Sequence, residues 1–339
     1  MNTILNYLKI ENKKSIEDRR IVKPSTASIP WLKTKPVVCT ASIRTDVFSN
    51  PPYFRRLLQG LREKKIQTLI PRQGLRIIDL SDMAVLSCWS KNYELFIKEW
   101  ENSESLLHDI PLIMFNFTIN GESKDCELEN IKASLDDRLW QLKWLIENFG
   151  MDSINVRFDP ITHWTESGIE KNNLDEYVNV LDSLQMLNIK RLTFSFCVEH
   201  DKVIQRMARH GKILIIKTLE QKQEILLWMM EEAHIREIVL RSCCEDDLVG
   251  FEIKSKIDNS NIKILKSICV DRLDVVRLLA AKGKSFNGRT KGNRPECGCV
   301  ETTDIFSYND KCMNGCLYCY ANPNENAIKR NITDIEEII

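Results

Sequence analysis

The chain reads as an α/β protein whose core is a full or partial parallel (β/α) barrel. Short apolar runs rich in β-branched and aromatic residues recur from Pro36 onward, and stretches of helical period separate them. About seven such repeats fit within one chain of 339 residues. Strand and helix alternating this often imply a parallel sheet with helices packed outside it.

The predicted strands are 37–42, 84–89, 112–118, 154–158, 191–196, 213–216 and 238–242. Among the helices between them, 135–149 is the clearest. Its Leu135, Leu139, Leu142, Ile146 and Phe149 fall on one face of a 3.6-residue repeat. Segments 175–187 and 219–233 follow the same pattern. In this architecture chemistry gathers at the C-terminal ends of the strands. That nominates Ser42, Arg44 and Asp46, then Lys91 and Asn92, Thr118 and Asn120, and Arg157 and Asp159. Lys91, Arg157 and Asp159 are candidate catalytic residues, with a structural ion pair equally open for the last two.

Residues 1–35 read as an N-terminal extension and 36–280 as the strands and helices of the barrel. Residues 281–339 hold a basic loop, the Cys297-Gly298-Cys299 pair and a C-terminal cysteine segment that completes the barrel. The loop, 282–294, is rich in Gly, Asn and basic residues without apolar period, as an exposed connector would be. A short strand at 303–308 and a final helix flank the cysteine segment.

Hydrophobic residues at 43% and charged residues at 28% suffice to bury a core. Lys plus Arg equals Asp plus Glu at 48 each. A whole-protein footprint for nucleic acid or anionic membrane is therefore missing, which disfavours nucleic acid as a partner without excluding it. Residues 1–21 lack the apolar run of a signal peptide, and no stretch approaches the length of a membrane span. A soluble, cytoplasmic protein is expected. In a reducing cytosol the 12 cysteines do not read as a disulfide framework. Thiols at short spacing point to metal, whereas Cys39, Cys88, Cys126 and Cys197 have no partner spacing and read as core filling.

Cys312, Cys316 and Cys319 place three thiols within eight residues, and Gly315 lets the backbone curl between them. Complete zinc and cubane sites usually take four protein ligands. Three on one loop leave either a fourth from elsewhere or an open coordination position. Cys244, Cys269, Cys297 and Cys299 form a second possible set, for an auxiliary 4Fe–4S cluster or zinc. The competing reading makes Cys243 and Cys244 ordinary buried thiols.

The C-x3-C-x2-C loop, with Tyr318 before the last cysteine and Tyr320-Ala321 after it, resembles the signature loop of the radical S-adenosylmethionine superfamily. Its form is similar to that of spore photoproduct lyase and its relatives. The wider chain resembles a bacterial family of unassigned function that ends in this loop. The matching pieces are Ala41 to Asp46, Trp89 to Asn92, Arg157 to Ile161, and Cys297 through Asn322, with Ile43 where that family usually has arginine.

This resemblance implies a 4Fe–4S cluster on Cys312, Cys316 and Cys319, S-adenosylmethionine as cofactor, and Tyr318 near the adenine. It implies a 5′-deoxyadenosyl radical that takes hydrogen from a substrate, and a flavodoxin or ferredoxin reductant. The substrate is a nucleic-acid lesion, a peptide or a small metabolite. In most such enzymes the loop follows the first barrel strand, but here only twenty residues follow Cys319. The barrel is therefore expected to be circularly permuted, with 303–308 as its first strand and 37–42 as its second. By position, Ser42, Arg44 and Asp46 would then help bind the cofactor. A non-catalytic zinc- or iron–sulfur-stabilised binding protein is the alternative.

Overall fold

Each apolar run becomes a strand, but one of them joins a different sheet from the rest. The computed structural model describes residues 37–41, 45–70, 74–122, 128–292, 294–306, 310–321 and 323. The extension 1–35, Ser42, Arg44, Cys126, Tyr308 and the final helix lie outside these residues.

The first strands are β1 (Val38–Ala41), β2 (Lys65–Ile70), β3 (Gly74–Asp79), β4 (Val85–Ser90) and β5 (Leu112–Thr118). Next come β6 (Ile154–Ile161), β7 (His163–Glu166), β8 (Ile169–Asn172), β9 (Arg191–Phe196) and β10 (Lys212–Ile215). The last are β11 (Val239–Ser242), β12 (Glu252–Lys254), β13 (Asn261–Lys263), β14 (Leu265–Lys266) and β15 (Thr303–Asp304). The first helices are α1 (Pro51–Glu63), α2 (Glu94–Trp100), α3 (Leu135–Phe149) and α4 (Tyr177–Met186). They are followed by α5 (Asp201–Arg209), α6 (Leu219–Ile235) and α7 (Arg272–Ala280).

Eight strands form one parallel sheet in the order β14-β11-β9-β6-β5-β4-β1-β15. The strand nearest the C-terminus thus lies beside the first, with Cys39 opposite Thr303 and Thr40 opposite Asp304. This is the neighbour relation that a permuted order requires. No pairing joins β14 to β15 among the described residues, so the sheet is open by hydrogen bonding.

The run at 213–216 corrects the expected topology. As β10 it pairs antiparallel with β7 in a separate sheet of order β10-β7-β8. Ile213 is 68% exposed, which suits a strand covered on one face and not one buried between helices. A short apolar run does not by itself distinguish the two settings. Hairpins β2–β3 and β12–β13 add further antiparallel pairs.

Helix α3 has the predicted boundaries, and a capping box between Ser134 and Asp137 starts it. Its buried centre, however, is Arg138, Gln141, Leu142 and Leu145. The face is turned so that two polar side chains enter the core, because both are bonded there. Gln141 accepts from Tyr93 N at 2.7 Å and donates to Asn92 Oδ1 at 2.8 Å, and Arg138 donates to Gly121 O at 2.5 Å. Among the described residues, no helix is long and apolar enough to cross a membrane.

Candidate functional site

A cavity of about 340 Å³ opens at the C-terminal ends of the parallel strands. Thr40, Ser90, Lys91, Thr118, Arg157 and Asp159 line it, and both cysteine sets reach it. Of the strand-end positions nominated from sequence, Asp46, Lys91, Thr118, Arg157 and Asp159 line the cavity and Asn92 and Asn120 do not, while Ser42 and Arg44 lie outside the described residues.

The 312–319 loop forms one wall. Gly315 sits at φ 62°, the left-handed turn that glycine enters without strain. The rest of the molecule grips the loop. Asn314 donates its amide to Asp46 Oδ2 at 2.8 Å, and its carbonyl accepts from Asn130 N at 2.8 Å. Leu317 N donates to Leu128 O at 2.9 Å, and Arg206 Nη1 donates to the carbonyls of Leu317 and Cys319 at 3.0 and 2.6 Å.

Asp46 is the buried anchor of this arrangement. Its carboxylate accepts from the backbone of Phe48, Ser49 and Lys91 and from Ser49, Ser90 and Asn314 side chains. Burial pushes its pKa up, and these donors, Lys91 N first, pull against that. It was nominated as a cofactor contact; both its oxygens already hold donors of the chain, one of them on the cysteine loop.

Lys91 meets Glu129 at 3.0 Å, and its ammonium lies 5.7 Å from the Tyr318 ring centre. Glu129 also accepts from the Tyr318 hydroxyl and, at 3.0 Å, from Asn120 Nδ2. Burial opposes both charges, yet Lys91 and Glu129 each hold the other ionised, raising the lysine pKa and lowering the glutamate pKa. Across the cavity Arg157 bonds Asp159 at 2.6 and 3.1 Å, stacks 4.9 Å from the Trp89 ring centre, and donates to Cys269 Sγ at 2.9 Å. The ion pair anticipated for Arg157 and Asp159 is thus present, and both members line the cavity.

The second set gathers as expected and gains a member. Cys243 Sγ lies 3.6 Å from Cys269 Sγ and 3.9 Å from Cys244 Sγ. Cys244, Cys269, Cys297 and Cys299 all line the cavity with it. Cys39 and Cys88 are buried in the main core, as core filling predicts, while Cys197 is buried at the cavity wall. The 282–294 connector is largely exposed, and Arg294 at its end reaches the cavity, 5.5 Å from the Tyr320 ring centre.

Among the described residues, no three His, Cys, Asp or Glu side chains converge on the position of a single metal ion. The 312–319 loop brings three thiols, the donor type that iron–sulfur clusters take, to one wall of the cavity. Burial pushes Cys312 up to about 12 and raises Cys316 and Cys319, so a metal bound there would have to displace their protons.

Sequence reasoning missed Glu129, Arg206 and Asn314. Glu129 and Arg206 lie outside the strand ends; Glu129 bonds Asn120 9 residues away but also Lys91 38 and Tyr318 189 residues away, and Arg206 bonds partners 111 and 113 residues away. Asn314 sat inside the motif, where a polar residue between cysteines was the available signal.

No curated protein and no solved structure matches the chain. The model of a domain of unknown function, DUF1848, matches residues 38–321, which take in every strand of the parallel sheet and both thiol groups. The chain belongs to the DUF1848 family.

Proposed function

We propose that this protein is a radical S-adenosylmethionine enzyme working in the cytoplasm, with a 4Fe–4S cluster held by Cys312, Cys316 and Cys319. The observation that carries the reading is three thiols of one short loop facing a cavity at the strand ends, beside a buried Lys91–Glu129–Tyr318 network. A cluster held by Cys312, Cys316 and Cys319 would supply the one-electron reduction that cleaves S-adenosylmethionine and so permits hydrogen abstraction from a substrate.

The chain's own residues then have definable tasks. Glu129 fixes the Tyr318 hydroxyl, and so the orientation of the ring that would pack against the adenine. Lys91 places a cation above that ring. Asp46 and Arg206 hold the loop that carries the thiols. Trp89, Phe196, Val198 and Val270 give the cavity apolar walls that keep water from a reactive species. Arg157 and Asp159 offer a charged pair to a substrate, for which a peptide or small metabolite fits the neutral chain better than nucleic acid. A flavodoxin or ferredoxin supplies the electron.

The test is anaerobic reconstitution with iron and sulfide, reduction, addition of S-adenosylmethionine, and quantification of 5′-deoxyadenosine. Cleavage is expected, and Cys316→Ala should reduce it to background. A protein that takes up zinc alone and releases no 5′-deoxyadenosine would instead be a metal-stapled binding protein.

A further inference from the structure

The five thiols of the second group lie where the sheet fails to close. β14 and β15 are its edge strands. Cys269 follows β14, Cys297 and Cys299 precede β15, and Cys243 and Cys244 follow β11. The gap is crossed by Val300 N donating to Val270 O at 3.1 Å and by Val270 N donating to Cys299 Sγ at 3.4 Å.

All five thiols line the same cavity, and Cys243 touches two of the others. Cys243 meets Cys244 at 3.9 Å and Cys269 at 3.6 Å. Cys297 neighbours Cys244, and Cys299 neighbours Cys269. The backbone is shaped to allow this. Cys244 adopts φ 57°, a conformation uncommon for a residue with a side chain. A Cβ on Gly292 would stand 2.7 Å from Cys297 Sγ and 2.2 Å from Cys297 O, so only glycine leaves room there.

The spacing identifies the ligand class. A metal–sulfur bond of about 2.3 Å in tetrahedral geometry puts sulfurs about 3.8 Å apart. The two separations above bracket that value. A disulfide would need about 2.05 Å, so these are separate thiols. A cubane spreads its thiolates over different irons and holds them wider. Among the described residues no three such side chains already converge on one ion position, so the sulfurs would draw in around the metal as it binds. Arg157, 2.9 Å from Cys269 Sγ, balances part of the negative charge of four thiolates around a divalent ion.

We propose that four of the thiols Cys243, Cys244, Cys269, Cys297 and Cys299 bind one tetrahedral divalent ion of the zinc class, which staples the two edges of the open sheet behind the cavity. This site does not depend on the reading of the 312–319 loop, and its test removes that loop's thiols.

In full-length protein carrying Cys312→Ala, Cys316→Ala and Cys319→Ala, cobalt(II) should bind one per chain. It should show thiolate charge-transfer absorption and intense tetrahedral ligand-field bands, and zinc should displace it. Adding Cys297→Ser and Cys299→Ser should remove those bands. Zinc-edge X-ray absorption on the unsubstituted chain, which needs no variant, should find four sulfurs at about 2.3 Å. Octahedral or absent cobalt bands, bands that survive the serine substitutions, or iron and sulfide at four each per chain in the alanine variant would overturn the proposal.

Discussion

The two thiol groups share one cavity but are held in different ways. The 312–319 loop is gripped from outside, by Asp46, by the backbone of Leu128 and Asn130, and by Arg206. Cys316 and Cys319 pack in a small apolar cluster with Leu128, Trp164 and Met207. The seam group draws on three separate segments whose thiols face one another, joined beside them by the β11–β14 pairing and by Val300 N donating to Val270 O. A site held by its scaffold keeps its shape whether or not it is loaded. A site assembled from separate segments couples metal binding to the integrity of the fold.

The sharpest way to break this contrast is Asp46→Ala. It orphans donors from Phe48, Ser90, Lys91 and Asn314 in a buried setting. A loss of about 4 kcal/mol is expected in urea unfolding. Cobalt binding at the seam should persist in the folded fraction; if it is lost in parallel, the two groups are not held independently.

Glu129→Gln comes next, at about 3 kcal/mol, since it leaves the Lys91 ammonium buried without its carboxylate. Adding Lys91→Met should recover part of that loss in a double-mutant cycle. An effect that simply adds would show that the pair does not brace the loop.

The smallest effect belongs to neither group and serves as the control. Burial first, and Lys217 second, push His163 on β7 down to about 4. With the folded pKa below the ordinary value of 6.5, the unfolded chain takes up the proton first. Stability should therefore fall by about 2 kcal/mol as pH drops from about 6.5 to about 4. His163→Gln should flatten that slope in urea titrations across the range; an unchanged slope would assign it to other groups.

Much of the scaffold was legible because its signals are local. Periods of two and 3.6 residues placed the strands and the three named helices to within a few residues. The register of α3 was not legible: its apolar positions suggested one inner face, while Arg138 and Gln141 turned another inward by bonding Gly121, Tyr93 and Asn92. The assignment of 213–216 to the parallel sheet failed for a related reason. A run of four residues carries no information about the direction of its neighbour.

The amino-acid order alone determined that three thiols would stand together at 312–319, since eight residues around a glycine cannot take them far apart. It also nominated Cys244, Cys269, Cys297 and Cys299 as a set, by type and rough position. Only the tertiary structure decided that β15 lies beside β1, that the sheet stays open between β14 and β15, and that Cys243 stands against Cys269. Those relations join residues 26 to more than 250 positions apart. Contacts at such separation follow from how whole elements pack around a core, and no local spacing encodes them.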